Sequence, residues 1–232
     1  MTSAKIAYLC KDNAKIPIMT GQVDRLLAGY LMDLGAVLLR PDEPFTWASG
    51  WHSPIYCDNR RILSSPEVRS FVAQALADEA DRLYPEAEIV AGVATGAIAH
   101  GILAADRLGK PFVYVRPKPK DHGTGSQIEG VLEHGRKVVV IEDLVSTGMS
   151  SLAAVDALRA AGAEVLGMTA IFTYGFDVAR SRFEAAGVPL VTLTSYPVLI
   201  AEAVRSGLVG ADMVRTLEAW RDDPAGWNPA GK

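Results

Sequence analysis

The chain has 232 residues, of which 23 are Lys or Arg, 27 Asp or Glu and four His, for a formal net charge of −4. That length can bury one full α/β core with a small appendage, and nothing suggests two large halves. The mild, well-mixed negative charge argues against a nucleic-acid-binding surface, and two cysteines, Cys10 and Cys57, form neither a disulfide framework nor a zinc-site spacing, which points to the reducing cytoplasm.

Taken in chain order, Ile6 to Cys10 is a short apolar stretch with lysines on both sides, and no segment approaches the roughly 18 apolar residues of a membrane span. Val23 to Leu34 keeps helical patterning, whereas Phe45 to Arg60 interleaves Trp, Ser, Gly, Pro and Tyr with little regular period. Residues 1–62 are therefore expected to form N-terminal helices and a hood. From Ser64 to Leu83, the positions Val68, Phe71, Val72, Ala75, Leu76, Ala80 and Leu83 predict a helix with Ser65 as N-cap and Pro66 in its first turn.

Strand-like runs then recur at Ile89 to Val93, Phe112 to Val115, Val138 to Ile141, Val165 to Phe172 and Leu190 to Leu193. Helical patterns fall between them at Ala97 to Leu108, Ser151 to Ala161, Val178 to Ala186 and Val198 to Ser206. This alternation predicts an α/β core over residues 63–210, a parallel sheet with helices on both faces. Residues 211–232 are expected to be a C-terminal helix and tail. After Trp220 the tail contains Pro224, Gly226, Pro229 and Gly231, so it frays or docks.

The most informative stretch runs from Lys137 to Ser151: a β-branched strand, the adjacent acids Glu142 and Asp143 at its carboxyl end, a turn over Ser146 to Ser150, and a helix starting near Ser151. Free backbone N–H groups in the turn and the positive end of the helix make a phosphate seat. Two acids beside that seat would repel a nucleotide's phosphate chain unless they face neutral hydroxyls or a divalent cation. A ribose 5-phosphate satisfies this, with Glu142 and Asp143 accepting from the 2′ and 3′ hydroxyls. The plainer alternative is a strand end with solvated acids and hydroxyls that cap a helix.

Arg116 to Gly130 is a 15-residue segment with no apolar face, carrying Arg116, Lys118, Lys120 and His122 among glycines at 123, 125 and 130. A mobile basic flap of this kind suits a polyanionic substrate, although a solvated surface loop has the same composition. Ala91 to Ile98 passes from strand through small residues into a helix, where amides can approach a pyrophosphate, or where Gly96 merely relieves crowding.

The order of strand, paired acids, hydroxyl-and-glycine turn and helix resembles the signature of the type I phosphoribosyltransferases, which bind phosphoribosyl pyrophosphate (PRPP). With the segment Pro44 to Arg60, whose Phe-Thr, Ser-Gly and Ser-Pro pairs stand at 45–46, 49–50 and 53–54, and with the Lys-Asp-His-Gly flap at 120–123, the chain resembles the orotate phosphoribosyltransferases over about residues 30–205. The resemblance implies the type I phosphoribosyltransferase fold with an N-terminal hood, and transfer of the phosphoribosyl group of PRPP to orotate with release of pyrophosphate. It assigns Arg116, Lys120 and His122 to the pyrophosphate, reaching to the neighbouring subunit's site in a homodimer. It gives the ribose hydroxyls to Glu142 and Asp143, the 5′-phosphate to Leu144, Val145, Ser146, Thr147, Gly148, Met149 and Ser150, and a place near orotate to Ser146. Lys120, His122 and Asp143 carry the catalytic roles, and Mg²⁺ is held mainly through PRPP, with no dedicated metal ligands in the chain.

Two positions depart from the family's usual pattern: Ala48 stands where a lysine precedes the Ser-Gly pair, and Pro117 where a second basic residue follows the flap arginine. Lys118, one residue on, is placed to substitute for the latter. The orotate carboxylate is left without an obvious partner, for which Arg60 and Arg61 are candidates on charge alone. A transferase for another nucleobase shares the acid-turn motif, and the hood decides between them. A non-catalytic PRPP sensor is the alternative of another class, against which Lys120 and His122 argue because a sensor has no leaving group to stabilise.

Overall fold

The computed structural model describes residues 20–47, 50–119 and 126–228. Helix α1 (Thr20–Asp33) leads into four short strands, β1 (Val37–Leu39), β2 (Phe45–Thr46), β3 (His52–Ser53) and β4 (Ile55–Cys57), and then a 3₁₀ turn at Asn59–Ser64. β1 pairs antiparallel with β4 and β2 with β3, so the hood segment is built on two small ribbons. Strands this short cannot display a period of two, which is why the sequence shows none there. Helix α2 (Pro66–Leu83) starts at the predicted cap, where the Ser65 hydroxyl accepts from the Val68 N–H at 3.4 Å.

The core follows as β5 (Ile89–Val93), α3 (Ala97–Leu108), β6 (Phe112–Val115), β7 (Ile128–Glu129), β8 (Lys137–Val145), α4 (Met149–Ala160), β9 (Glu164–Thr173), α5 (Asp177–Ala185), β10 (Leu190–Ser195) and α6 (Tyr196–Arg205). After a second 3₁₀ turn, α7 (Val214–Asp222) closes the order of elements. One sheet runs β10-β9-β8-β5-β6-β7, with every neighbour parallel except β6 and β7. All five residues of β5 and Val138 to Ile141 of β8 are buried, as expected for parallel strands covered on both faces.

The chain leaves β5 toward β6 but leaves β8 in the opposite direction, toward β9. Right-handed crossovers therefore put α3 on one face and α4 and α5 on the other. Helix α2 packs beside α3, while α1 lies against α6 and β10. The reversal of direction opens a crevice between the carboxyl ends of β5 and β8, where open α/β sheets receive ligands.

Three differences from the sequence expectation bear on the site. β8 continues to Val145, because β9 pairs with it as far as Val145↔Thr173, so the acids lie inside a strand rather than beyond it. Helix α4 begins at Met149, two residues before Ser151. The basic segment after β6 is not wholly irregular: Ile128 packs against the core, and Tyr114↔Glu129 and Val115↔Ile128 pair across β6 and β7. The tail docks. Trp220 is fully buried, its ring centroid 5.4–5.6 Å from those of Trp47, Tyr174, Phe176 and Tyr196, and its indole N–H donates to the His52 carbonyl at 3.0 Å. Among the described residues, no helix is long and apolar enough to cross a membrane.

Candidate active site

A cleft of about 320 Å³ occupies the crevice, lined by Val93 to Gly96 after β5, by Glu142, Asp143 and Leu144 of β8, by Ser150 of α4 and by Cys57, Asp58 and Arg60 of the hood. A hollow about twice as large lies between α5 and β10. Its walls are largely apolar and none of the predicted site residues line it, so size alone does not locate the chemistry.

Successive side chains on a strand leave opposite faces, and the two acids follow that rule. Glu142 turns toward the α4 side: its Oε2 accepts from the Ser151 hydroxyl at 2.8 Å and its Oε1 from the Asp143 N–H at 2.9 Å. Asp143 turns toward the α3 side, where its carboxylate lies directly against the Gly96 backbone. A Cβ at position 96 would overlap Asp143 Oδ2, so any other residue there would have to displace the Asp143 carboxylate. The small residues after β5 thus have a definite purpose: Gly96 lets an acid sit on the first turn of α3. The adjoining Ala94–Thr95 peptide is cis.

Glu142 is only 3 % exposed, and burial first, then the charge of Asp143, raises its carboxyl well above the usual range, while the Ser151 hydrogen bond opposes that rise. Asp143 is less buried and opens to the cleft. The Asn59 carboxamide, buried, donates to the Asp143 carbonyl at 2.6 Å and fastens the hood's 3₁₀ turn to β8.

The turn from β8 into α4 has its carbonyls bonded on the side of β9 and α5. Thr173 Oγ1–H and the Tyr174 N–H both donate to the Val145 carbonyl, at 3.1 and 3.2 Å, and Arg182 donates to the Thr147 carbonyl at 2.8 Å. Gly148 then turns with φ +79°, and α4 begins. Among the described residues, nothing accepts from the N–H groups of Ser146, Thr147, Gly148, Met149 and Ser150. Five free amides at a helix N-terminus form an anion site.

From the hood, Asp58 and Arg60 form a two-point ion pair, Nε–Oδ1 2.6 Å and Nη2–Oδ2 3.0 Å, which holds the Asp58 carboxyl below its usual range. Arg60 reaches the cleft, whereas Arg61 donates to the Leu34 carbonyl at the end of α1, so its charge is used in the scaffold. Cys57 donates to Asn59 Oδ1 at 3.4 Å, and burial pushes its thiol up, so it offers no thiolate nucleophile. His100, one turn along α3 from Gly96, is 1 % exposed, with the Asn59 backbone and the Asp143 charge acting on its ring.

Of the predicted residues, β8 and the first turn of α4 bring together Glu142, Asp143, Leu144 and Ser150 at the cleft, with Val145 buried beneath and Ser146, Thr147, Gly148 and Met149 in the turn. Arg116 stands at the root of the flap, its backbone paired with Gln127 and its guanidinium 3.8 Å from Glu129. Lys120 and His122 lie outside the described residues, as does Ala48. The sequence reading missed Asn59, Ser151 and the contact of Gly96 with Asp143. A buried asparagine in an aperiodic segment carries no signal of its target, and a serine in a helix's first turn reads as a cap.

The fold and this crevice define a phosphoribosyltransferase: residues 60–191 match the phosphoribosyl transferase domain family. Orotate phosphoribosyltransferases of Porphyromonas gingivalis and Bacteroides thetaiotaomicron are 53 % and 52 % identical over 88 % and 90 % of this chain, and 97 % and 99 % of their own lengths. The chain belongs to the orotate phosphoribosyltransferase family. Among solved structures, orotate phosphoribosyltransferase from Aeropyrum pernix superposes with a TM-score of 0.69 at 33 % identity, covering 79 % of this chain and 99 % of that one. The Mycobacterium tuberculosis enzyme in complex with PRPP gives 0.60 at 25 % identity, over 75 % and 97 %.

Proposed function

We infer that the protein transfers the 5-phosphoribosyl group of PRPP to orotate, giving orotidine 5′-monophosphate and pyrophosphate, a step of pyrimidine synthesis. The observation that carries the reading is the meeting, at one switch-point crevice, of five unpaired amides at the α4 N-terminus with the acids Glu142 and Asp143. The amides of Ser146 to Ser150 take the 5′-phosphate, with Leu144 and Val145 shaping the floor. Glu142 and Asp143 take the ribose hydroxyls, and Ser146 lies beside orotate. Arg116, Lys120 and His122 belong to the pyrophosphate, in a homodimer that shares its flaps across subunits in the cytoplasm.

The C1′–pyrophosphate bond breaks as positive charge grows on the sugar ring and negative charge on the leaving group. Carboxylates beneath the ribose lower the energy of the cationic ring, and flap cations lower that of pyrophosphate. The hood and flap exclude water, which would otherwise capture the sugar. No protein nucleophile is required, in keeping with the protonated Cys57. Asp58 and Asp143 supply hard oxygen donors facing the cleft, and among the described residues no three acids, histidines or cysteines converge on one point. That donor set fits a Mg²⁺ held largely by substrate oxygens and water, the ion adding charge neutralisation at the pyrophosphate.

The test is ultraviolet-monitored turnover with PRPP and Mg²⁺, orotate being run beside uracil, adenine, guanine and hypoxanthine. Orotate consumption dependent on PRPP and Mg²⁺ is expected, and Asp143→Asn should lower kcat/KM about a hundredfold. Turnover of another base would move the specificity, and PRPP binding without turnover would make the protein a sensor.

A further inference from the structure

Ser151 sits in the first turn of α4, yet its hydroxyl does not serve that helix. It crosses to β8 and donates to Glu142 Oε2 at 2.8 Å. Both partners are buried, Ser151 at 1 % and Glu142 at 3 % exposure, so water does not compete for the bond. The N-cap position of α4 is Gly148, which has no side chain, and the first amides of the helix remain free for an anion. Ser151 is therefore not a capping residue in disguise: its one hydroxyl proton is committed to the acid.

A glutamate has three side-chain torsions, and at a strand end it has many ways to point. Here two donors fix it, the Asp143 amide on one oxygen and the Ser151 hydroxyl on the other. The Asp143 carboxyl lies alongside the same group, within hydrogen-bonding reach. The Asp143 amide belongs to the same strand and holds one oxygen in any case. What selects the orientation of the second oxygen is Ser151.

We propose that Ser151 is a positioning residue of the ribose site, aiming the Glu142 carboxylate so that the helix whose N-terminus receives the 5′-phosphate also sets the acid that receives the ribose. The proposal rests on the assignment of Glu142 to the ribose made above. It ties two parts of the PRPP site to one element, since the first turn of α4 carries both the free amides and the Ser151 hydroxyl.

The experiment is a double-mutant cycle in steady-state kinetics with Ser151→Ala, Ser151→Cys, Glu142→Ala and the double variant Ser151→Ala/Glu142→Ala, with thermal unfolding of each followed by circular dichroism. Ser151→Ala should lower kcat/KM for PRPP by roughly tenfold, the size of one lost buried hydrogen bond, with the KM for orotate within about twofold. Ser151→Cys keeps the side-chain volume but donates weakly, so it should fall with Ala. If the Ala variant does not fold, Cys carries the comparison. In the Glu142→Ala background, Ser151→Ala should add less than about twofold. A full additional loss in that background, equal losses toward both substrates, or a wild-type Ser151→Cys would overturn the positioning role. Glu142→Ala with wild-type PRPP kinetics would instead remove the ribose assignment itself, a result separable from the others because it appears in the single Glu142 variant.

Discussion

His100 shows how a single buried residue couples the site to solution conditions. It lies on the Gly96 face of α3, against the backbone of Asn59 in the hood turn and within the field of Asp143. Burial lowers its pKa from the usual 6.5, the Asp143 charge offsetting part of the fall. The folded protein therefore keeps a neutral ring where the unfolded chain takes up a proton. Stability is present in full above 6.5 and is lost as pH falls below it, because the unfolded state then binds the extra proton. Glu142 has the opposite sign: its raised pKa gives stability below the usual value that is lost as pH rises through the folded value, so it does not mimic the effect. His100→Leu should remove part of the acid sensitivity between about pH 7.5 and about pH 5.5. Identical pH slopes for variant and wild type in calorimetry would exclude His100 as the source.

At the scale of elements, the turn from β8 into α4 depends on one backbone conformation. Gly148 has φ +79°, and a Cβ there would stand 3.0 Å from the Phe183 ring of α5. An alanine meets both the left-handed penalty of about 1–2 kcal/mol and a wall, so the chain relieves it by re-aiming the free amides of the seat. Gly148→Ala should raise the KM for PRPP by at least about tenfold while changing that for orotate much less; an unaltered PRPP KM would show that the amides do not hold the phosphate. This glycine, the acids beside it and the strands β5 and β6 were all legible from sequence, because wholly buried runs and a glycine-containing turn leave unambiguous patterns. The full length of β8 was not legible, since Glu142 and Asp143 interrupt its apolar run while β9 continues to pair with it. Nor were the ribbons of the hood or the β6–β7 pairing at the flap root, each of which is decided by a distant partner strand and spans only two or three residues. Asn59 and Ser151 belong to the same class: their targets lie 84 and nine residues away, and only the folded sheet brings them together.

In the whole molecule, the segment recognisable as a phosphoribosyl transferase domain, residues 60–191, is held between two parts outside it, the hood and α7. Their junction is aromatic. Trp47 of the hood, Tyr174 and Phe176 after β9, Tyr196 at the start of α6 and Trp220 of α7 pack at centroid spacings that favour edge-on and tilted rings. One hydrogen bond crosses the junction, from the indole N–H of Trp220 to the His52 carbonyl at 3.0 Å, while that of Trp47 to the Ile55 carbonyl at 3.2 Å braces the hood itself. The same hood carries Asp58 and Arg60 to the cleft and fastens to β8 through Asn59, so a loosened α7 is expected to be felt at the site. Trp220→Ala should cost about 3–5 kcal/mol of stability, combining lost burial with a carbonyl left unpaired at His52. The loss should be uneven: amide exchange should accelerate across residues 50–60 while β5 and β8 stay protected, and kcat/KM should fall even at temperatures where the variant remains folded. Uniform acceleration across sheet and hood would mean that Trp220 stabilises the molecule as one unit, and that the hood takes its position over the cleft from β1, β4 and Asn59 alone.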